Sequence, residues 1–209
     1  MACLWTARLR CQGGEVGSSP VSSDDVKAFF EKASVDWDQM RSSFYNSGVI
    51  DALASRAAIT TTGTVVDVGT GTGFVAAGLA PRAGTVIGVD NSPAMLAVAA
   101  DNLRRLGIEN VVLRVGELDA LPLADDSVDA AVANMVLHHA LEPGAMLAEM
   151  ARVVRPGGVV AVTDEVQHPY EWMRTEQADV WLGFTEPKVD GFFASARLVE
   201  YGYASLGMQ

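Results

Sequence analysis

Cysteine is nearly missing from this 209-residue chain: the two it has, Cys3 and Cys11, both stand near the start, outside any periodic segment. That excludes a disulfide framework and suits a cytosolic, cytoplasmic protein with reduced thiols. Basic charge is also short. Fifteen Lys and Arg face 26 Asp and Glu, a formal net charge of −11. No basic stripe exists to neutralise phosphates, so nucleic acid is not expected as a partner. No apolar run approaches the ~20 residues that span a bilayer, and nothing at the N-terminus reads as a secretory core, so no membrane is expected either. Repeats and low-complexity linkers are absent. The composition, 49% hydrophobic and 20% charged, is that of one ordinary globular domain.

Along the chain, residues 1–20 contain "GGEVGSSP" and no period, which predicts a disordered or loosely attached arm. Residues 21–209 then form a single domain, with 21–60 as an N-terminal helical lid. Its first helix opens at "SSDDVKAFF", where Ser22 or Ser23 caps and Asp24 and Asp25 complement the helix dipole. A second helix, "SGVIDALASRAAI", follows Phe44 and Tyr45. From Thr64 onward, apolar runs alternate with helical stretches: Thr64 to Val68, "TVIGVD", "NVVLRVGEL", "VDAAVANMVL" and "VVAVTDE" read as five strands. The helix "SPAMLAVAADNLRRLG" carries Ser92 as cap, Pro93 at its first position and Gly107 past its end. Continuous apolar strands between helices predict an α/β fold, a doubly wound, Rossmann-like and mostly parallel sheet covered on both faces.

The stretch "VVDVGTGTGFVA" sets Gly69, Gly71 and Gly73 between the first of these strands and the helix after it. One or two glycines would serve a tight turn. Three let a ligand lie against bare backbone at a helix N-terminus. A dinucleotide fingerprint needs its third glycine at position 74, which is Phe74, and this speaks against an oxidoreductase. The spacing is instead G-x-G-x-G behind an acidic residue, Asp67.

"VVDVGTGTG" resembles the first motif of class I S-adenosylmethionine (SAM) methyltransferases, and further matches fall in order. "VIGVDNSPAML" is similar to the second-strand motif. "GELDALPLADDSVDAAVANMVLHHALEP" and "LAEMARVVRPGGVVAVTDE" resemble UbiE-like members of the family. The resemblance implies SAM as cofactor and S-adenosylhomocysteine as product. It puts Gly69 and Gly71 at the methionine portion, with Asp67 helping to fix its amino group, and counts Gly73 among the cofactor-binding residues. Asp90, with Asn91 beside it, takes the ribose hydroxyls. Glu117, where the family more often has Asp, and Leu118 take the adenine. Asn134 faces the transferable methyl, and Tyr45 reaches the cofactor from the lid.

A sulfonium methyl is already electrophilic, so the protein has mainly to align a nucleophile in a dry pocket. A base matters only for an acceptor that carries a proton. The chain's three histidines lie just past the fourth and fifth predicted strands, at the crevice edge of such a sheet. His139, Asp164 and His168 are the expected catalytic residues, and His138 is expected to pack structurally. Their spacing matches no familiar metal-ligand pattern, so no metal is expected. In "HPYEWMRTEQADVWLGF", Tyr170, Trp172, Trp181 and Phe184 stand near helical spacing, which fits a substrate lid or a packed outer helix; core packing is favoured for the tryptophans. This stretch looks like the methyltransferase domains beside ArsR-type repressors in bacteria, but arsenite methylation needs cysteines that this chain lacks after Cys11. The family usually ends in a two-stranded hairpin, and "ARLVEYGYASLGMQ" supplies one strand. The last strand is therefore expected to be missing, leaving an edge that favours a homodimer or a partner strand. Two functions follow: a methyltransferase acting on a small-molecule acceptor, or a catalytically silent SAM-binding protein serving regulation or assembly.

Overall fold

The computed structural model describes residues 2–9, 22–42 and 46–206. Phe44, Tyr45 and Cys11 lie outside these. Seven strands form one sheet in the order β4-β3-β2-β5-β6-β1-β7. The inner strands β2 (Thr64–Val68), β3 (Thr85–Asp90), β4 (Val111–Val115), β5 (Val128–Asn134) and β6 (Val154–Glu165) are all parallel where they pair. Except in β4, the partly exposed edge strand, their apolar runs are explained by burial on both faces: one core cluster gathers around Val66, Val160 and Met146, the other around Val65, Val132 and Leu53.

Local signals set the helices. In α1 (Ser23–Ala33), Ser22 Oγ accepts the Asp25 N–H and the Asp25 carboxylate accepts the Ser22 N–H, both at 3.3 Å, a reciprocal cap. In α5 (Pro93–Leu106), Ser92 Oγ accepts the Met95 N–H at 3.2 Å. Short α2 (Trp37–Arg41) and α3 (Gly48–Arg56) complete the N-terminal helices. Helices α4 (Phe74–Leu79) and α6 (Pro143–Val153) follow β2 and β5, and α7 (Trp172–Glu176) and α8 (Glu186–Ser195) lead to β7 (Leu198–Ser205).

Two expectations are corrected at the ends of the chain. Residues 2–9 are not a loose arm: Ala2–Leu9 is strand β1, antiparallel to both β6 and β7. The sheet therefore does not lack a strand beyond β6. The place that a second C-terminal hairpin strand would take is filled by β1, whose Trp5 is fully buried. Residues 10–20 of the expected arm lie outside the described residues. A third correction concerns "HPYEWMRTEQADVWLGF". It is one turn of helix followed by a loop. Tyr170 and Trp172 are 54% and 47% exposed, whereas Phe184 is in the core and Trp181 packs against it. No helix among the described residues is long and apolar enough to cross a membrane.

Candidate active site

Strand ends β2 and β3 hold the glycine turn. Gly69 N–H and Thr70 N–H both donate to the Val89 carbonyl, at 2.8 and 3.0 Å. Gly71 N–H donates to Asp90 Oδ2 at 2.8 Å, and the other Asp90 oxygen takes the Ser92 N–H at 2.9 Å. Two of the glycines are there for different reasons. A Cβ at Gly69 would lie 2.6 Å from the Val136 side chain, so packing alone forbids it. At Gly71 it would meet only Trp37 Nε1, at 3.7 Å; there φ of +53° and the open space beside the backbone set the choice.

That space is part of a cavity of about 250 Å³ at the strand ends. Asp67, Gly69, Gly71, Asp90, Asn91, Glu117, Leu118 and Asn134 all line it. Gly73 does not; it stands at the N-cap of α4. Tyr45 lies outside the described residues. Asn91 Nδ2 donates to Glu117 Oε2 at 2.9 Å, and Asn134 Oδ1 accepts from Thr163 Oγ1 at 2.7 Å. The loop after Glu117 is pinned from below by Arg152. Its guanidinium grips Glu149 through two nitrogens at 2.7 Å and also donates to the Leu121 and Leu123 carbonyls and to Asp125.

Within the expected lid, residues 21–60, the two aromatics that cover the cavity are ones the sequence did not single out. Phe30 of α1 and Trp37 of α2 line the cavity, their rings 5.1 Å apart, and Phe30 meets the His139 ring edge-on at 4.8 Å. A latch holds this cover to the glycine turn. Thr72 Oγ1 donates to Asp38 Oδ1 at 2.7 Å, and Asn102 Nδ2 donates to Asp38 Oδ2 and to the Thr72 carbonyl. The aromatic run at Phe29 and Phe30, followed by Trp37, was the available signal.

Of the three expected catalytic residues, only His139 lines the cavity. Asp164 is fully buried and saturated: it accepts N–H groups from Val136, Leu137 and Glu165 and lies 2.8 Å from His138 Nδ1. A carboxylate only accepts, so that His138 nitrogen carries the proton. His168 Nε2 lies 2.7 Å from Glu165 Oε2, away from the cavity lining. Burial alone would pull His138 down, but Asp164 and its neighbouring carboxylates raise it to about 9. His139 goes the other way: burial, then the charge of His138, hold it well below the usual histidine range. Its Nδ1 donates to the Ala178 carbonyl at 3.2 Å. Burial pushes Asp67 up to about 7 although the Thr70 hydroxyl donates to it at 2.7 Å.

Comparison with known proteins gives this geometry a context. Residues 66–162 match the model of a family described as a methyltransferase domain. The chain is 43% identical over 107 residues to an arsenite methyltransferase of Halobacterium salinarum, which covers 50% of the chain and 27% of that protein. It is 42% identical over 104 residues to methyltransferase GfsG of Streptomyces halstedii, covering 49% of the chain and 37% of that protein. Phosphoethanolamine N-methyltransferase 2 of Haemonchus contortus, solved in complex with SAM, superposes with a TM-score of 0.70 at 20% identity. That match covers 85% of the chain and 44% of the other. The chain thus matches only about a quarter to a third of the length of the two curated relatives.

Proposed function

We propose that this chain is a class I SAM-dependent methyltransferase that transfers a methyl group to a small, largely neutral acceptor, a reading supported by the match of residues 66–162 to the methyltransferase-domain family. One observation carries the reading: the glycine turn, the Asp67 and Asp90 carboxylates and an aromatic cover share a single cavity. The cavity suits the cofactor chemically. Asp67 is a buried carboxylate whose raised titration is that of an acid short of a cation, and the ammonium of SAM supplies one. Asp90 spends one lone pair on each of two backbone N–H groups and retains others for hydroxyl donors. Glu117 and Leu118 stand where the adenine is recognised, and Asn134 toward the reacting end. Bound SAM supplies an electrophilic methyl.

The protein's part is then to exclude water and align the acceptor. Phe30 and Trp37 close the cavity, and the low dielectric strengthens every polar contact inside. His139, a neutral imidazole on the same wall, presents its ring to the acceptor and helps to set its position. A cavity of about 250 Å³ under an aromatic cover favours a small acceptor over a macromolecule. Transfer of labelled methyl from SAM to a panel of small hydroxyl, amine and thiol compounds tests the reading. His139→Ala is expected to lower turnover at least tenfold while SAM affinity changes less than twofold. Tight SAM binding with no acceptor in the panel would instead favour a silent, regulatory SAM-binding protein.

The Asp67 shift makes SAM affinity depend on pH. The raised value means that the folded protein holds a proton on Asp67 below about pH 7, whereas the ammonium needs the carboxylate ionised. Binding must then expel that proton. Affinity is expected to fall about tenfold per pH unit below 7 and to level off above it. Asp90, also raised by burial, stands close enough to add to the effect. Calorimetry from pH 6 to 8 in buffers of different ionisation enthalpy measures the released proton. Asp67→Asn should bind more weakly and with a flatter pH dependence; an unchanged slope would remove Asp67 from the amino-group site.

A further inference from the structure

Behind the His139 wall lies a second, small cavity of about 20 Å³, enough for one water molecule or ion. Trp37, Met135 and His139 line both cavities. Asp179 faces the smaller one. It is 1% exposed, and neither carboxylate oxygen has a hydrogen-bond partner among the described residues. Leaving both oxygens of a buried carboxylate unbonded is costly, and such a group asks for an explanation. Around it, one ring nitrogen each of His138 and His139 and an oxygen of Asp179 lie within 4.8 Å of one another. Glu165, whose oxygen lies 2.7 Å from His168 Nε2, lines it too, as do Met173 and Gln177.

We propose that His138, His139 and Asp179, with Glu165 beside them, form a binding site for one divalent transition-metal ion, most naturally zinc. Two imidazoles and a carboxylate are a familiar zinc donor set. His138 is oriented for the role: its Nδ1–H donates to Asp164, and Nε2, 3.7 Å from Asp179 Oδ1, gives up its proton as the ion binds. A carboxylate behind a histidine is the usual support for a metal ligand. Donors about 2.0–2.1 Å from one ion stand roughly 3.3 Å apart in tetrahedral geometry, so the His138–Asp179 gap needs only a small closure. Asp179, tied down by no hydrogen bond, can make it. The preceding residue, Ala178, has a left-handed φ of 61°, a conformation uncommon for a side chain with a Cβ, and its carbonyl meets His139. Three carboxylates, Asp164, Glu165 and Asp179, converge here, which favours a cation over a water molecule. An ion so placed locks the His139 ring in the wall shared with the larger cavity. The site stands on its own geometry; only its meaning for the acceptor rests on the methyl-transfer reading.

Untagged protein, stripped with a chelator and titrated with zinc by calorimetry, is expected to take up one ion per chain. Asp179→Asn should bind at least tenfold more weakly and Asp164→Asn about 10- to 100-fold more weakly. Asp179 does not line the larger cavity, so SAM affinity of Asp179→Asn should stay within twofold, which separates failure here from failure of the methyltransferase reading. X-ray absorption on the zinc-loaded wild type keeps the test open if a variant does not fold. A shell with two imidazoles and oxygen is expected. No stoichiometric uptake, uptake unchanged in Asp179→Asn, or a sulfur shell from Cys3 or Cys11 would overturn the proposal.

Discussion

Trp5→Ala is expected to cost about 3–5 kcal/mol of stability, the range for deleting a large, fully buried aromatic side chain. For a chain of this size that corresponds to a drop in Tm of about 6–20 °C. The side chain is 0% exposed, belongs to the larger core cluster and lies 5.5 Å from the Tyr203 ring on the neighbouring strand. Its loss opens a void between β6 and β7 that neighbours with fixed backbone pairing cannot collapse into. Trp5→Phe is the informative companion. The indole N–H has no partner among the described residues, so phenylalanine removes a buried unsatisfied donor while keeping most of the apolar area. It should lose no more than about 1–2 kcal/mol. Thermal or denaturant unfolding measures both. A melting temperature unchanged by Trp5→Ala would mean that residues 2–9 do not belong to the sheet.

Asp90→Ala is expected to weaken SAM binding by about 1.5–3 kcal/mol, roughly 10- to 150-fold in Kd. Two losses combine. The carboxylate that would accept from the ribose hydroxyls is gone, and the Gly71 and Ser92 N–H groups lose their shared acceptor, so the glycine turn itself loosens. Asp90→Asn separates the two. An amide oxygen can keep one backbone N–H but not both, and it cannot take two hydroxyl donors as a carboxylate does. An intermediate loss is expected for it. Calorimetry with SAM at fixed pH reads all three proteins, and equal affinity in Asp90→Ala would take Asp90 out of the ribose site.

How much of this was legible in the sequence depends on how far apart the interacting residues lie along the chain. Strands β2, β3, β5 and β6 announce themselves by the apolar runs that burial on both faces demands, and the edge strand β4 by its valines. Asp67, Gly71 and Asp90 are readable for a related reason: each sits directly at a strand end, where the parallel sheet fixes what it faces. Strand β1 was not readable. "ACLWTARL" carries an exposed Arg8 and has its partners at Val159–Glu165 and Leu198–Ser205, so nothing local marks it as a strand. The same distance hid the His138, Asp164 and Asp179 group, drawn from three separate loops and strand ends. Phe44 and Tyr45 drew attention as the aromatic pair nearest the first predicted strand. Both lie outside the described residues; among those described, the cover comes from Phe30 and Trp37, because the Asp38 latch to Thr72 and Asn102 brings α2 onto the glycine turn.

The position of β1 also separates the order of synthesis from the order of assembly. The ribosome delivers Trp5 about 160 residues before Val162, its register partner on β6, and about 200 before Tyr203 on β7. At ~5–20 residues per second, the segment waits on the order of ten seconds or more for its first partner. Such pairing is non-local and slow to form, and until it forms the slot between β6 and β7 stays open with the backbone edges of both strands unpaired. Any antiparallel strand of the same pattern fits that slot, and the nearest source on a polysome is the nascent chain next to it. Exchange of β1 between two copies is the misassembly this topology invites, and keeping newly made chains dilute is the condition that prevents it.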